Sequence, residues 1–217
     1  DVLVDLAIGG PAVCALRALS AVTGLALTDP PVLTAAAHAA WGFRSLFNAP
    51  EATALVDSTS PPGWPYWRSA IGHCVDGNLQ ALVDEHAHVL RDWLGFVQLD
   101  SPTARADAAQ EIGRQLAAAL DVRTSSYRVD APDASGHALE EHRMRGRFAV
   151  PFGNQRLEDG GKERVESVSA AFNSPFWPFV LASTSVGQEG LDFHLWCHAV
   201  VHWNLPANPV DLEQREG

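Results

Sequence analysis

Lysine is almost missing from this 217-residue chain: one of its 15 basic residues is Lys and the rest are Arg. Against 26 Asp and Glu this leaves a formal charge of −11, which excludes a general polyanion-binding surface, since that needs a basic face. Any contact with nucleic acid is therefore expected to be local. Cysteine is sparse as well. Cys14, Cys74 and Cys197 are odd in number and widely spaced, which excludes a disulfide framework and a zinc ribbon and points to a reducing cytoplasm. No basic segment followed by an apolar stretch opens the chain, and no apolar run reads as long enough to cross a bilayer, so no membrane partner is expected. The phosphate-loop pattern Gly-x-x-x-x-Gly-Lys-Ser/Thr is missing throughout, as are internal repeats and low-complexity tracts.

What the chain has is 47% hydrophobic residues, enough to bury a core in one or two domains. A division at residue 121 separates two patterns, with 6 basic and 13 acidic residues before it and 9 and 13 after it. Residues 1–121 read as a helical module or insertion. Pro11 to about Val22 and Pro31 to Phe47 carry helical apolar spacing, the second with Leu33, Ala36, Ala40 and Phe43 on one face. The run Asp57 to Pro65 reads as a loop. A helix with a possible Asp76 N-cap follows, its stripe formed by Leu79, Leu82, Val83, His86, Leu90, Trp93, Leu94 and Val97. A last helix fits Pro102 to Leu120, with Ser101 as N-cap.

Beyond Asp121, strand and turn patterns alternate with a helix-spaced segment, from Arg164 to Phe172, and the expectation is a parallel α/β sheet. The end of the chain is the most informative part. Phe179-Val180-Leu181-Ala182 and Ala199-Val200-Val201 each run into a polar turn, as buried parallel strands do where they deliver site residues. After the first, Ser183-Thr184-Ser185 supplies hydroxyls, and Gly187 and Gly190 permit close backbone approach, a combination suited to phosphate oxygens. After the second, Asn208 suits a helix N-cap and Pro209 the first helical position.

These residues resemble motifs V and VI of the second RecA-like lobe of superfamily 2 helicases and Swi/Snf-type translocases. Ser183 to Asp192, with Thr184 and the Gly190-Leu191-Asp192 triplet, is similar to motif V. His202 to Pro209 is similar to the "strand, Asp-Leu-Pro, Asn-Pro" element before motif VI, with Asn204 where the family commonly has Asp. Gln214-Arg215-Glu216-Gly217 resembles the opening of motif VI, Gln-x-x-Gly-Arg-x-x-Arg, whose two arginines fall past Gly217. The resemblance covers about residues 122–217.

It implies a RecA-like parallel-sheet lobe of the P-loop NTPase type over 122–217. It also implies nucleic-acid contacts from Ser183, Thr184, Ser185, Gly187 and Gly190, and a nucleotide site involving Gln188, Glu189, Asp192, Gln214 and Gly217. The implied partners are a DNA or RNA backbone and the first RecA-like lobe of the same protein, with ATP and Mg2+ as cofactors of the whole enzyme. No catalytic residue is expected in this chain, which alone should be inactive because the phosphate loop, the DExH box and the motif VI arginines are not in it.

Other constellations weigh less. Asp84-Glu85-His86-Ala87 has the wrong order for a DEAH box and sits within an amphipathic helix pattern, where His86 reads as a hydrogen-bonded core histidine. Gly160-Gly161-Lys162-Glu163 reads as a surface turn. His194, His198 and His202 would line one helix face with Cys197 nearby, but Pro206 and Ala199-Val200-Val201 favour a loop and strand. On a strand His198 and His202 lie ~13 Å apart, too far for one metal, and no metal site is expected. Arg143, Arg145 and Arg147 could touch phosphates or simply protect a strand edge. An alternative to the motor fragment is a non-catalytic scaffold that binds partners through Trp41, Trp64, Trp67 and Trp93.

Overall fold

The computed structural model describes residues 2–121, 125–132, 139–146, 168–182 and 195–216. Seven helices fill the first of these stretches: α1 (Val2–Gly9), α2 (Pro11–Thr23), α3 (Pro30–Phe47), α4 (Pro50–Thr59), α5 (Tyr66–Asp76), α6 (Leu79–Trp93) and α7 (Pro102–Leu120). Two strands, β1 (Ser125–Pro132) and β2 (Leu139–Gly146), follow, and α8 (Pro209–Glu216) lies at the far end.

Proline sets most of the helix starts. Pro11, Pro30, Pro50, Pro102 and Pro209 each open a helix, where the fixed φ is already helical and the missing N–H costs no hydrogen bond. Ser101 strengthens the start of α7, its hydroxyl accepting from Ala104 N–H at 3.0 Å. At the other end of α2, Gly24 adopts φ +69°, and its N–H donates to Ser20 O at 2.9 Å. Arg17 of α2 closes the C-terminus of α1, its guanidinium donating to the carbonyls of Ala7 at 2.8 Å and Ile8 at 3.2 Å. A cation there also suits the negative end of the helix dipole.

Helices α2, α3, α6 and α7 enclose the core, with Leu19, Val32, Phe43, Val83, Ile112 and Leu116 among its fully buried side chains. The tightest pair is α3 with α7. A Cβ added to Gly113 would meet Ala35 Cβ at 2.8 Å and its carbonyl oxygen at 2.9 Å, and one on Gly42 would meet Ala117 Cα at 3.0 Å. Hydrogen at these two positions lets the backbones touch, so α3 buries small residues: Ala35, Ala36, Ala39 and Gly42 beside Val32 and Phe43. The expected face was rotated by about one residue, since Leu33 is exposed and Val32 buried. Helices α1 and α4 pack on α5. The Tyr66 hydroxyl donates to the Phe47 carbonyl, and Gln80 Nε2 donates to Cys14 O at 3.1 Å, joining α6 to α2.

The parallel α/β expectation is overturned. Among the described residues the strands are β1 and β2, an antiparallel pair in register Ser125 with Gly146 through Pro132 with Leu139, and most other described residues are helical. Two further details differ. Asp76 ends α5 rather than capping α6, whose start follows Asn78 in the left-handed region at φ 54°. The apolar stretch Val2–Thr23 is long and apolar enough by composition to span a bilayer, with mean hydropathy 1.8, contrary to the expectation that no such run exists. It is divided at Gly10, which is extended at φ −60° and ψ 128°, and α2 is packed into the core.

Candidate functional site

The segment expected to carry the site divides between described and undescribed residues. Ser183, Thr184, Ser185, Gly187, Gln188, Glu189, Gly190, Asp192 and Gly217 all lie outside the described residues, as do Arg147, His194 and residues 160–163. Gln214 is described: it lies on α8 and is exposed. The start of α8 has the anticipated chemistry, with Asn208 Oδ1 accepting from Val210 N–H at 3.1 Å and Pro209 in the first helical position.

The two apolar runs expected as buried strands are neither strands nor buried. Residues 178–182 and 197–202 form no ladder, and Phe179 is 77%, Val201 88% and Trp203 94% exposed. The reason is physical. A β-segment needs a neighbour on its edge to satisfy its backbone and a surface above it to cover its side chains, and the described residues supply neither.

What the structure brings together instead is a cluster around His86. Phe176, itself buried, meets Phe43 of α3 edge-on with ring centroids 5.4 Å apart. The same Phe176 meets His86 of α6 at 6.0 Å and an 85° interplanar angle. Trp196 meets His86 at 5.8 Å and 67°. Ala171 and Val168, on the helical turn 168–172, are buried as well. Contrary to expectation, neither ring nitrogen of His86 has a hydrogen-bond partner among the described residues, nor has Trp196 Nε1. Burial alone pushes the His86 pKa from 6.5 down to about 4, so the ring is neutral at pH 7. Nothing in the sequence pattern set His86 apart from the Leu and Val positions of its stripe.

A concavity of about 160 Å³ lies between α1 and α5, lined by Val2, Asp5, Trp64, Trp67, Arg68 and Ile71 among others. The Arg68 guanidinium lies 4.3 Å from the centre of the Trp64 ring, and Arg44 is placed in the same way over Trp41. The cysteines offer no nucleophile within the core. Burial pushes the Cys74 thiol up to about 12, with Cys14 adding to the effect, and raises that of Cys14 too. No group of three or more His, Cys, Asp or Glu able to hold a metal occurs among the described residues.

Compared with known proteins, the chain matches no family model, no curated protein and no solved structure.

Proposed function

We propose that this chain supplies nucleic-acid contacts and part of a nucleotide site to an ATP-driven helicase or translocase. The observation that carries the reading is the order of residues from 183 to 217: the hydroxyl triplet with Thr184, Gly190-Leu191-Asp192, Asn204-Leu205-Pro206, Asn208-Pro209 and Gln214. The capped start of α8, which leaves Gln214 exposed one turn later, supports it. The reading rests on the order of residues and on a helix start, and not on a parallel sheet.

In this scheme Ser183, Thr184 and Ser185 hold a backbone phosphate with the neighbouring N–H groups, and Gly187 and Gly190 permit close backbone approach. Such contacts position a strand without reading its sequence. Gln188, Glu189, Asp192, Gln214 and Gly217 lie toward nucleotide. ATP and Mg2+ are held chiefly by a partner lobe with a phosphate loop; ATP binding closes the cleft between that lobe and this chain, and hydrolysis opens it.

Fluorescence anisotropy with labelled single-stranded DNA and RNA tests the proposal. Wild-type chain should bind either strand in a salt-sensitive way, and Thr184→Ala should weaken binding by about tenfold, the scale of a lost hydrogen bond to a charged group. Purified chain should turn over no ATP above background. Binding that ignores Thr184→Ala, or ATP turnover by the chain alone, contradicts the scheme.

A second reading draws on a different observation: Trp41, Trp64, Trp67 and Trp93 are all exposed on the helical residues, as a protein-interaction scaffold requires. It predicts a protein partner lost on Trp64→Ala or Trp67→Ala and kept on Thr184→Ala.

A further inference from the structure

Helix α1 approaches α5 so closely that a Cβ on Gly9 would meet Val75 Cγ2 at 2.6 Å, and beside this contact the two helices leave the concavity of about 160 Å³. Its apolar lining comes from Val2, Ile71 and Val75, and the indoles of Trp64 and Trp67 complete it. Three charged side chains share the same lining: Asp5, Asp76 and Arg68. Two carboxylates against one guanidinium leave a formal charge of −1.

These charges are not settled among themselves. Neither carboxylate forms an ion pair or a side-chain hydrogen bond among the described residues, although Arg68 lines the same space. Arg68 lies instead over the Trp64 ring, 4.3 Å from its centre. Asp76 ends α5, where the negative end of the helix dipole adds to its own charge. The basic residue of that last turn, His73, meets Thr59 Oγ1 at 3.0 Å and leaves Asp76 uncompensated.

Size and lining narrow what fits. A space of ~150 Å³ is enough for a benzene-sized molecule, so this one takes a small group and excludes a nucleotide. A hard cation such as Mg2+ or Ca2+ needs a shell of oxygens, which indoles do not supply. An anion meets net negative charge, and a neutral apolar molecule would cover the carboxylates without pairing them. A quaternary ammonium group satisfies each condition: it has no N–H to hydrogen-bond, it is drawn to aromatic faces, and it brings one positive charge.

We propose that the concavity between α1 and α5 binds a quaternary ammonium group, with Trp67 supplying the aromatic face and Asp5 and Asp76 the balancing charge. The site stands apart from the nucleic-acid contacts proposed above and uses none of their residues.

Titration of the full chain with choline at constant ionic strength, followed by the NMR shifts of the indole N–H groups, tests this against 3,3-dimethylbutan-1-ol, which has the same shape and no charge. Choline should saturate with a Kd of about 1–10 mM, and the neutral analogue should bind about tenfold more weakly or less. Asp5→Asn and Trp67→Ala should each weaken choline about fivefold or more. Arg68→Gln should tighten it about threefold, because the change removes the competing cation and bares the Trp64 ring. Phosphatidylcholine vesicles carry the same group on a lipid. Co-sedimentation abolished by Asp5→Asn places the ligand on a membrane surface, and choline binding without co-sedimentation makes it a free molecule.

Equal binding of choline and its neutral analogue overturns the proposal, as does the lack of a saturable shift up to about 100 mM choline. Unchanged affinity in Asp5→Asn, which keeps the shape of the side chain and leaves the core untouched, overturns it too.

Discussion

The helical residues 2–121 and the non-helical residues 178–182 and 197–206 treat similar apolar material in opposite ways. Leu19, Val32, Phe43, Ile112 and Leu116 are fully buried, whereas Val180, Val201, Trp203 and Leu205 are left in solvent. The difference lies in what each kind of segment must find outside itself. An α-helix satisfies its own backbone and needs only one covered face, which a neighbouring helix in the same stretch of chain can supply. An extended run needs neighbours on its edges as well as above it, and among the described residues these two runs have none. Hydrophobicity alone therefore does not tell where a residue ends up.

Core truncation should break the comparison most strongly. Phe43→Ala removes a fully buried ring that touches Phe176 and should cost about 3–5 kcal/mol in urea denaturation, while Val201→Ala should stay within about 0.5 kcal/mol. Equal losses at the two positions would show that the C-terminal run is covered in solution.

Acid comes next. The unfolded chain takes up a proton on His86 below pH 6.5, and the folded chain refuses it until about pH 4. Stability is full above 6.5, falls between 6.5 and 4, and is lower by about 3 kcal/mol below that, one pKa unit being worth about 1.4 kcal/mol. His86→Phe should remove this part of the pH dependence, so the wild-type and variant curves should separate as the pH falls. Parallel curves would mean that the ring is hydrated.

The smallest effect concerns the seam between α3 and α7. Gly113→Ala gains helix propensity of about 1 kcal/mol but drives a methyl group against Ala35, and a net loss of about 1–3 kcal/mol in thermal or urea unfolding is expected. A stabilised variant would show that the two helices stand further apart.

Helices with a start signal and a clear period were legible from sequence: α2 through the Gly9-Gly10 break and Pro11, α7 through Ser101 and Pro102, and α8 through Asn208 and Pro209. Others gave no such signal. Helix α1, VLVDLAIG, is apolar on nearly every face, so it has no period to read, and α5 begins directly after the Pro- and Trp-rich loop and looks like its continuation. In α3 the sequence is rich in alanine on all sides, and only packing against α2 and α7 selects which alanines are buried. The larger misreading was of Phe179–Ala182 and Ala199–Val201, because a short apolar run has the same composition whether or not a sheet is present to receive it. The motif residues from Ser183 to Asp192 lie outside the described residues. His86 was legible as buried and illegible as a junction, since its partners come from a distant part of the chain.

The bend at Gly10 has a consequence for which solvent the amino-terminal apolar stretch meets. Unbent, Val2–Thr23 would form a rod of about 33 Å, close to the roughly 30 Å of hydrocarbon in a bilayer. Divided there, it becomes pieces of 8 and 13 residues, each too short for that role, and the first packs on α5. A Cβ at position 10 would lie 2.5 Å from the carbonyl oxygen of Leu6, so any side chain there would force the corner to shift. The hydrogen at position 10 thus leaves room for the corner that turns a membrane-length stretch into two short packed pieces.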